Sequence, residues 1–310
     1  VVNTLMGIGA VPSDYDLRLG MIGMHGVRHA NYAVHQADLL ILAGSRVADR
    51  AIPSPTVLAR QKKIIHMDID PAEIGKNLGV DIPVVGDIRL MLSQLTEEID
   101  AAVSENWQDW LEELNGVRQK VHPDYGPRDG YVNPKLLMHQ LNQRADWNAI
   151  IVSDVGQNQM WSANEFAIPQ GRFLTSGGMG TMGYSLPAAM GANAACPDRQ
   201  TIAVCGDGSF QMCSMELATL VQHRLPVKIV VFSNNRLGMV REHQTVAYDN
   251  NLTAVFLDGS PDFAKLAAAY QIPSVRIHEN SEIDDALTRL LEAEGPFLLE
   301  AMVDPLETTL

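Results

Sequence analysis

The chain is poor in cysteine, poor in positive charge and devoid of long apolar runs. Only Cys196, Cys205 and Cys213 occur in its 310 residues. They are odd in number, lack the spacing of a metal-ligand set and sit in apolar or helical surroundings. This argues against a disulfide framework and predicts buried free thiols in a reducing compartment, the cytoplasm. Lysine and arginine number 23 against 37 aspartates and glutamates, a formal charge of −14. With no basic stripe to neutralise phosphates, no nucleic-acid partner is expected. No uninterrupted apolar stretch reaches bilayer-spanning length and none reads as a signal peptide, so no membrane partner is expected either. An initiator methionine is missing too: Val1-Val2-Asn3-Thr4-Leu5 opens inside a strand-like run and the end, Asp304 to Leu310, has no capping tail. Both ends are expected to be cut from a longer protein.

What is present reads as α/β. Hydrophobic residues make up 46% and charged residues 19%, and the length exceeds one typical core, so two domains are expected. The organising stretch runs from Thr201 to Gly238. Thr201 to Cys205 is a short apolar strand that stops at Gly206-Asp207-Gly208. A helical pattern follows, with Phe210, Met212, Met215, Leu217, Leu220 and Val221 on its apolar side. Pro226 closes it, and Lys228 to Ser233 read as a second buried strand ending at Asn234-Asn235. The unit is βαβ with parallel strands and a right-handed crossover, so Asp207 and Asn234 emerge at the same carboxyl edge.

Two hard oxygen donors at one sheet edge suit Mg²⁺, whose octahedron keeps room for phosphate oxygens and water. Gly208 lets a backbone approach those phosphates at the helix N-terminus. Taken singly, Gly-Asp-Gly and Asn-Asn are equally well explained as turn residues. Together, GDGSFQM, MELATL, LPVKIVV, Asn234-Asn235 and GMV resemble the thiamine diphosphate signature of the pyruvate decarboxylase and acetohydroxyacid synthase superfamily, and within it the catalytic large subunit of acetohydroxyacid (acetolactate) synthase. The resemblance implies that Asp207 and Asn234 ligate Mg²⁺ through their side chains and Arg236 through its carbonyl oxygen.

From Val1 to about Ala101 short apolar strands alternate with helical or loop segments. Val1 to Met6, Leu19 to Gly26, Ala37 to Ala43 (a buried strand), Lys63 to Ile69 and Val84 to Asp87 read as strands or strand ends. Tyr32 to Ala37 and roughly Ile88 to Val103 read as helices. This alternation predicts a doubly wound parallel sheet that binds nucleotides at its carboxyl edge. Arg46 and Arg50 could clamp a diphosphate and Asp68 could accept from ribose hydroxyls. Equally, Arg46, Asp49 and Arg50 could form surface ion pairs, and Asp68 to Pro71 a helix-start turn. The Gly7-x-Gly9 pair is a weak signal without the rest of the dinucleotide fingerprint.

TLMGIGA, GMIGMHG, GSRVADR, IIHMDIDPAEIGKN and IPVVGDI resemble the middle, FAD-holding domain of the same family, in the usual order. The implied FAD contacts are Thr4, Leu5, Met6, Gly23, Met24, His25, Gly44, Arg46, Arg50, Asp68, Ile69 and Asp87. The family usually shows Phe-Asp where Val47-Ala48 stand. The expected architecture is therefore two doubly wound, Rossmann-like parallel-sheet domains. Residues 1–101 form the FAD-binding domain, 102–132 a linker, and 133–310 the domain for Mg²⁺ and the thiamine diphosphate pyrophosphate.

In the linker, Trp107, Trp110, Leu111 and Leu114 give an amphipathic helix and His122 to Pro127 a proline-containing connector. Asn133 then caps a helix with Pro134 at its first position. Ala149 to Ser153 is a strand, with Asp154 to Gln159 at its carboxyl end. There Gln157 and Asn158 could donate to a diphosphate or merely cap the helix that follows. Ser176 to Gly183 is denser in glycine than packing requires and presents one bulky side chain, Met182. It resembles GGLGTMG of the family, which implies Met182 as the wedge that bends the cofactor and the Gly180 carbonyl as acceptor for its 4′-amino group. The resemblance also places Gly156, Gln157, Asn158, Gly208, Ser209, Leu237, Gly238 and Met239 around thiamine diphosphate. The family has His at the position of Asn158 and Trp at that of His243, so acceptor preference is not carried over. Asp262 to Tyr270 and Ile283 to Glu294 read as helices, Ser274 to Ile277 and Phe297 to Val303 as strands.

The resemblance implies a transferase of branched-chain amino acid synthesis that decarboxylates pyruvate and passes the two-carbon unit to a second 2-oxoacid, pyruvate or 2-oxobutyrate. It implies a homo-oligomer, dimer or tetramer, with the active site at the subunit interface and a small regulatory subunit as partner. The family's initiating glutamate lies on an amino-terminal domain of the partner subunit, and no segment here resembles that domain, so the chain alone is expected to be inactive. Two rival readings are a sister thiamine enzyme, of the pyruvate oxidase or glyoxylate carboligase type, and a non-catalytic nucleotide-binding module.

Overall fold

The computed structural model describes residues 1–60, 62–99 and 107–309. They divide into two compact units, Val1–Leu5 with Leu19–His122, and Met6–Arg18 with Pro123–Leu310. The chain is α/β with parallel sheets in both.

In the first unit β1 (Val2–Asn3) pairs in parallel with β2 (Gly20–Met21). A separate three-stranded parallel sheet holds β3 (Leu39–Ala43), β4 (Lys63–Asp68) and β5 (Ile82–Val85), in that order. The strand expected over Val1 to Met6 is thus two residues long and gives way to a single 3-10 turn, Leu5–Gly7. Helix α1 (Arg28–Gln36) follows β2, α2 (Pro55–Ala59) follows β3, and α3 (Ile88–Glu98) follows β5. The predicted continuation of α3 to Val103 falls outside the described residues, as does the expected boundary at 101–102. Helix α4 (Gln108–Gln119) lies in the expected linker yet belongs to this unit: Leu114 and Trp110 pack with Leu19, Ala30 and Ala33.

One expectation fails here. Leu39–Ala43 is not a buried strand, for Leu39 and Ile41 are 45% and 48% exposed and burial alternates along it. An all-apolar run signals a strand covered on both faces, but only one face of this strand is covered. Its inward side chains Leu40 and Leu42 pack with Val47, Ile52, Ile64 and Leu78.

The second unit is a six-stranded, fully parallel sheet. In spatial order its strands are Ser274–Ile277, Phe297–Met302, Lys228–Ser233, Thr201–Gly206, Ile150–Ser153 and Arg172–Thr175. In chain order these become β6 (Ile150–Ser153), β7 (Arg172–Thr175), β8 (Thr201–Gly206), β9 (Lys228–Ser233), β10 (Ser274–Ile277) and β11 (Phe297–Met302). The edge strand β7 had no distinct signal in the sequence. Asn133 caps α5 (Pro134–Arg144) by accepting from the amides of Lys135 and Leu136 at 3.0 and 3.2 Å. Helices α6 (Gln157–Glu165) and α7 (Ser185–Ala195) follow β6 and β7.

The segment after β8 is one helix in the sequence reading and three pieces in the structure: α8 (Asp207–Cys213), a 3-10 turn Ser214–Glu216, and α9 (Leu217–Gln222). The turn resets the phase, because 3-10 geometry advances three residues per turn instead of 3.6. Phe210, Cys213, Leu217 and Leu220 become the buried stripe, packed on β8 and β9 residues including Ala203, Cys205, Ile229 and Val231. Met212, Met215 and Val221, expected on the apolar side, are exposed. Helices α10 (Gly238–Ala247), α11 (Phe263–Ala269) and α12 (Ile283–Glu292) complete the unit.

Candidate cofactor site

Strands β8 and β9 are neighbours, with Gly206 opposite Phe232, so the residues after them leave the sheet side by side. Asp207 is 2% exposed. Its Oδ2 accepts from the amides of Asn234 and Asn235 at 3.0 and 2.6 Å, and its Oδ1 from the amide of Gly208 at 2.7 Å. One carboxylate thus ties the start of α8 to the turn after β9. Among the described residues it has no cationic partner. Burial, with a smaller push from the negative charge of Glu300, raises its pKa from 3.8 to about 6 despite the three N–H donors. A buried, hydrogen-bonded carboxylate without a counter-charge is the donor chemistry a hard divalent cation requires.

The Asn234 side chain is held at both ends. Its Oδ1 accepts from the Arg236 amide at 3.1 Å and its Nδ2 donates to Gln157 Oε1 at 3.1 Å. Arg236 turns its side chain elsewhere. The guanidinium donates to the Asn235 carbonyl at 2.7 Å and to Asp258 at 3.0 Å, and stacks 4.6 Å over Phe256. The segments pair as well: Leu237 N donates to the Val255 carbonyl and Leu257 N to the Asn235 carbonyl, each at 2.9 Å.

Gln157 and Asn158 have their amide donors engaged by the protein rather than open to a diphosphate. Gln157 Nε2 donates to Glu242 at 3.0 Å and to the Glu307 carbonyl at 2.7 Å. Asn158 Nδ2 donates to the Asp154 carbonyl at 2.8 Å and to the Val204 carbonyl at 3.3 Å, tying the ends of β6 and β8 together. Its Oδ1 occupies the space a side chain at Gly156 would need. Ser209 caps its own helix by exchanging hydrogen bonds with Gly206 at 3.1 Å.

The glycine-rich loop is pinned by a residue that the sequence did not single out. Asp154, fully buried at the end of β6, accepts from the amides of Val155 at 2.9 Å, Gly183 at 3.0 Å and Ser185 at 2.8 Å. Gly183 needs its glycine, since its φ is +81° and a Cβ would crowd the Met212 side chain. Gly180 (φ +68°) closes the turn by donating to the Ser176 carbonyl at 3.0 Å. The loop brings the Met182 methyl beside Gly208, where Leu237 and Leu257 converge as well. Thus Met182, Gly208 and Leu237 share one spot, and Asp207, Asn234, Gln157 and Gly238 another that adjoins it through the Asp207-Gly208 turn. Met239 follows Gly238 in α10. Leu257, Glu242 and Glu307, none of them among the expected site residues, also reach the site.

In the first unit the expected FAD residues fall at carboxyl ends of parallel strands. Thr4 and Leu5 follow β1, Gly23, Met24 and His25 follow β2, Gly44 and Arg46 follow β3, Asp68 ends β4 with Ile69 after it, and Asp87 follows β5. Gly23 and Arg50 lie together: Met24 N donates to the Arg50 carbonyl at 3.0 Å, and a Cβ on Gly23 would overlap that carbonyl. Asp68 accepts from the Asp70 amide at 2.9 Å and Asp87 caps α3 through Leu90 N at 3.1 Å. The Asp68 segment forms a turn without a following helix. No ion pair joins Arg46, Asp49 or Arg50 among the described residues. Met6 falls in the other unit.

Comparison with known proteins assigns both parts of the chain to one family. Residues 154–301 match the model for the thiamine pyrophosphate enzyme C-terminal TPP-binding domain, and residues 1–95 that for the thiamine pyrophosphate enzyme central domain. A probable acetolactate synthase large subunit of Methanocaldococcus jannaschii is 43% identical over 99% of this chain and 53% of its own length. That of Methanococcus aeolicus is 40% identical over 98% and 53%, and the acetolactate synthase isozyme 2 large subunit of Escherichia coli 39% over 98% and 55%. The chain spans about half the length of the curated relatives it matches. It belongs to the thiamine pyrophosphate enzyme family, of which it carries the central domain and the C-terminal TPP-binding domain, with acetolactate synthase large subunits as its relatives.

Proposed function

We propose that this chain is the FAD- and thiamine-diphosphate-holding part of an acetolactate synthase large subunit. Its reaction is decarboxylation of pyruvate and transfer of the two-carbon unit to a second 2-oxoacid. The observation that carries the reading is Asp207: a carboxylate buried without a counter-ion at a parallel-sheet edge, touching the turn that holds Asn234. Asp207 and Asn234, with the Arg236 carbonyl, would hold Mg²⁺, and Mg²⁺ the diphosphate. Thiamine diphosphate, when bound, supplies the electron sink that lets a 2-oxoacid lose CO₂.

The chain's own residues position and shield. Asp154 fixes the loop that presents Gly180 and Met182, and Met182, Leu237 and Leu257 put apolar surface beside Gly208. Gly156, Ser209, Gly238 and Met239 would complete the thiamine diphosphate site, with Gln157 and Asn158 beside it holding its segments together through their side-chain amides. The FAD set after β1 to β5 belongs to the first domain, apart from Met6, and α4 of the expected linker 102–132 packs with that domain, while the metal site belongs to the domain expected at 133–310. The whole enzyme is a cytoplasmic homo-oligomer with its active site between subunits and a small regulatory subunit as partner. Among the described residues no helix is long and apolar enough to cross a membrane.

Isothermal titration with thiamine diphosphate tests the site. Binding is expected to require Mg²⁺ and to weaken at least tenfold in Asp207→Ala; equal affinity with and without Mg²⁺, or in both proteins, rejects it. Product analysis tests the reaction. Once the relatives' other half is supplied, pyruvate is expected to yield acetolactate rather than acetyl phosphate, and the 310 residues alone no product.

A further inference from the structure

Two acceptor-only groups set the polarity of a chain of side-chain amides that ends at Asn234. The Glu242 carboxylate, 5% exposed, and the Glu307 backbone carbonyl both face one end of the Gln157 amide, at 3.0 and 2.7 Å. Neither can donate, so that end must be the NH₂ group and the other end the oxygen. The Gln157 oxygen lies 3.1 Å from the Asn234 side-chain amide. It accepts, so the Asn234 atom facing it must be the NH₂ group, which leaves Oδ1 as the end free of Gln157. The Arg236 amide, a donor, sits 3.1 Å from that Oδ1, which agrees with the assignment.

The acceptors at the head of the chain are themselves fixed. Glu242 also accepts from Thr309, through its hydroxyl at 2.9 Å and its amide at 3.1 Å, and the Glu307 carbonyl also accepts from Arg241. Gly238 leaves the gap that the Gln157 oxygen fills, for a Cβ there would overlap it.

We infer that Gln157 is a positioning residue for the metal: it fixes the flip of the Asn234 amide so that oxygen rather than NH₂ is offered to the cation. The inference rests on the metal-site reading above and departs from the diphosphate contact expected of Gln157. A flipped carboxamide would point two N–H donors at a divalent ion, and only an external partner distinguishes the two orientations. Aspartate at the same place would need no such partner, because its two oxygens are equivalent.

That symmetry supplies the experiment. Mn²⁺ affinity is measured by electron paramagnetic resonance, with thiamine diphosphate present, for four forms of the 310-residue chain: wild type, Gln157→Leu, Asn234→Asp and the double variant. Thermal unfolding of each is recorded alongside. Gln157→Leu is expected to weaken Mn²⁺ binding by about tenfold or more, and the same change in the Asn234→Asp background by less than about threefold, since the carboxylate needs no orienting. An equal loss in both backgrounds overturns the inference, as it would mark a direct phosphate contact or general damage. So does no loss in either. Absence of Mn²⁺-dependent binding in wild type and Asn234→Asp alike overturns the metal-site reading itself, and the role of Gln157 with it. Should Gln157→Leu not fold, Glu242→Gln takes its place. It replaces an acceptor-only carboxylate with an amide whose oxygen stays with the Thr309 donors and whose NH₂ faces Gln157, so one of the two groups that set the polarity no longer accepts; this is expected to weaken Mn²⁺ binding in the Asn234 chain and not in the Asn234→Asp chain.

Discussion

Asp207 holds the turns together and carries an electrostatic cost in doing so. Its folded pKa of about 6 lies above the ordinary 3.8, so the folded chain holds a proton that the unfolded chain has released between those values. The stability this group contributes is greatest when it is protonated and is lost as pH rises from about 4 to 6, by about 3 kcal/mol. Urea unfolding of the metal-free chain checks this: between pH 4 and 7.5 the wild type should lose about that much relative to Asp207→Asn, and parallel curves would contradict it. Protons and Mg²⁺ compete for the same carboxylate, so metal-dependent thiamine diphosphate binding should weaken below about pH 6. Asp207 and Asn234 were legible in the sequence because glycine and asparagine mark the turns that end adjacent strands. Asp154 was not: the amides it accepts from belong to Gly183 and Ser185, beyond a helix and another strand. Nothing in the local residue pattern distinguishes a carboxylate that caps its own turn from one that reaches across.

Elements of the second unit followed apolar periodicity closely wherever a single helix or strand spanned the segment. Asn133-Pro134, Asp262 and the strands Lys228–Ser233 and Ser274–Ile277 stand where capping and turn residues predict them. The break at Ser214–Glu216 was not visible, because three residues of 3-10 helix shift the phase without any proline or glycine to announce it. Helix α9 ends in a turn in which Leu225 N donates to the Leu220 carbonyl at 3.1 Å and exposed Arg224 takes φ +54°. This is the left-handed closing position that glycine prefers, so Arg224→Gly should raise stability by about 1 kcal/mol, read as a higher thermal midpoint. The glycine-rich loop depends on a distant anchor instead. Asp154→Ala would leave three N–H groups without their acceptor, and should cost about 3 kcal/mol or more. Limited proteolysis should then cut between residues 176 and 183 faster than in the wild type; an unchanged pattern would remove Asp154 from its role as anchor.

The two units differ in how completely their sheets are covered. Lys228–Ser233 is buried at every position, whereas Leu39, Ile41, Ile82 and Val85 in the first unit are all at least 45% exposed. Apolar burial is the main favourable term in folding, so calorimetry of the chain should resolve a first transition from residues 19–122 and a later one from 123–309. Hydrogen exchange should be slowest in Thr201–Gly206 and Lys228–Ser233, and a single cooperative transition with uniform protection would contradict this. By itself the sequence determined the alternation of strand and helix, the parallel βαβ unit and the identity of the residues at its two turns. Each of these depends on contacts within a few tens of residues and leaves a periodic or turn signature. Tertiary structure alone decided which face of Leu39–Ala43 is covered and which donors Gln157 and Asn158 have left to give. It also decided which carboxylate holds the Met182 loop and which end of the Asn234 amide faces Gln157. Those depend on partners from distant segments, such as Glu242, Glu307 and Asp154, and a hydrogen bond between such groups imposes no pattern on the residues beside either one.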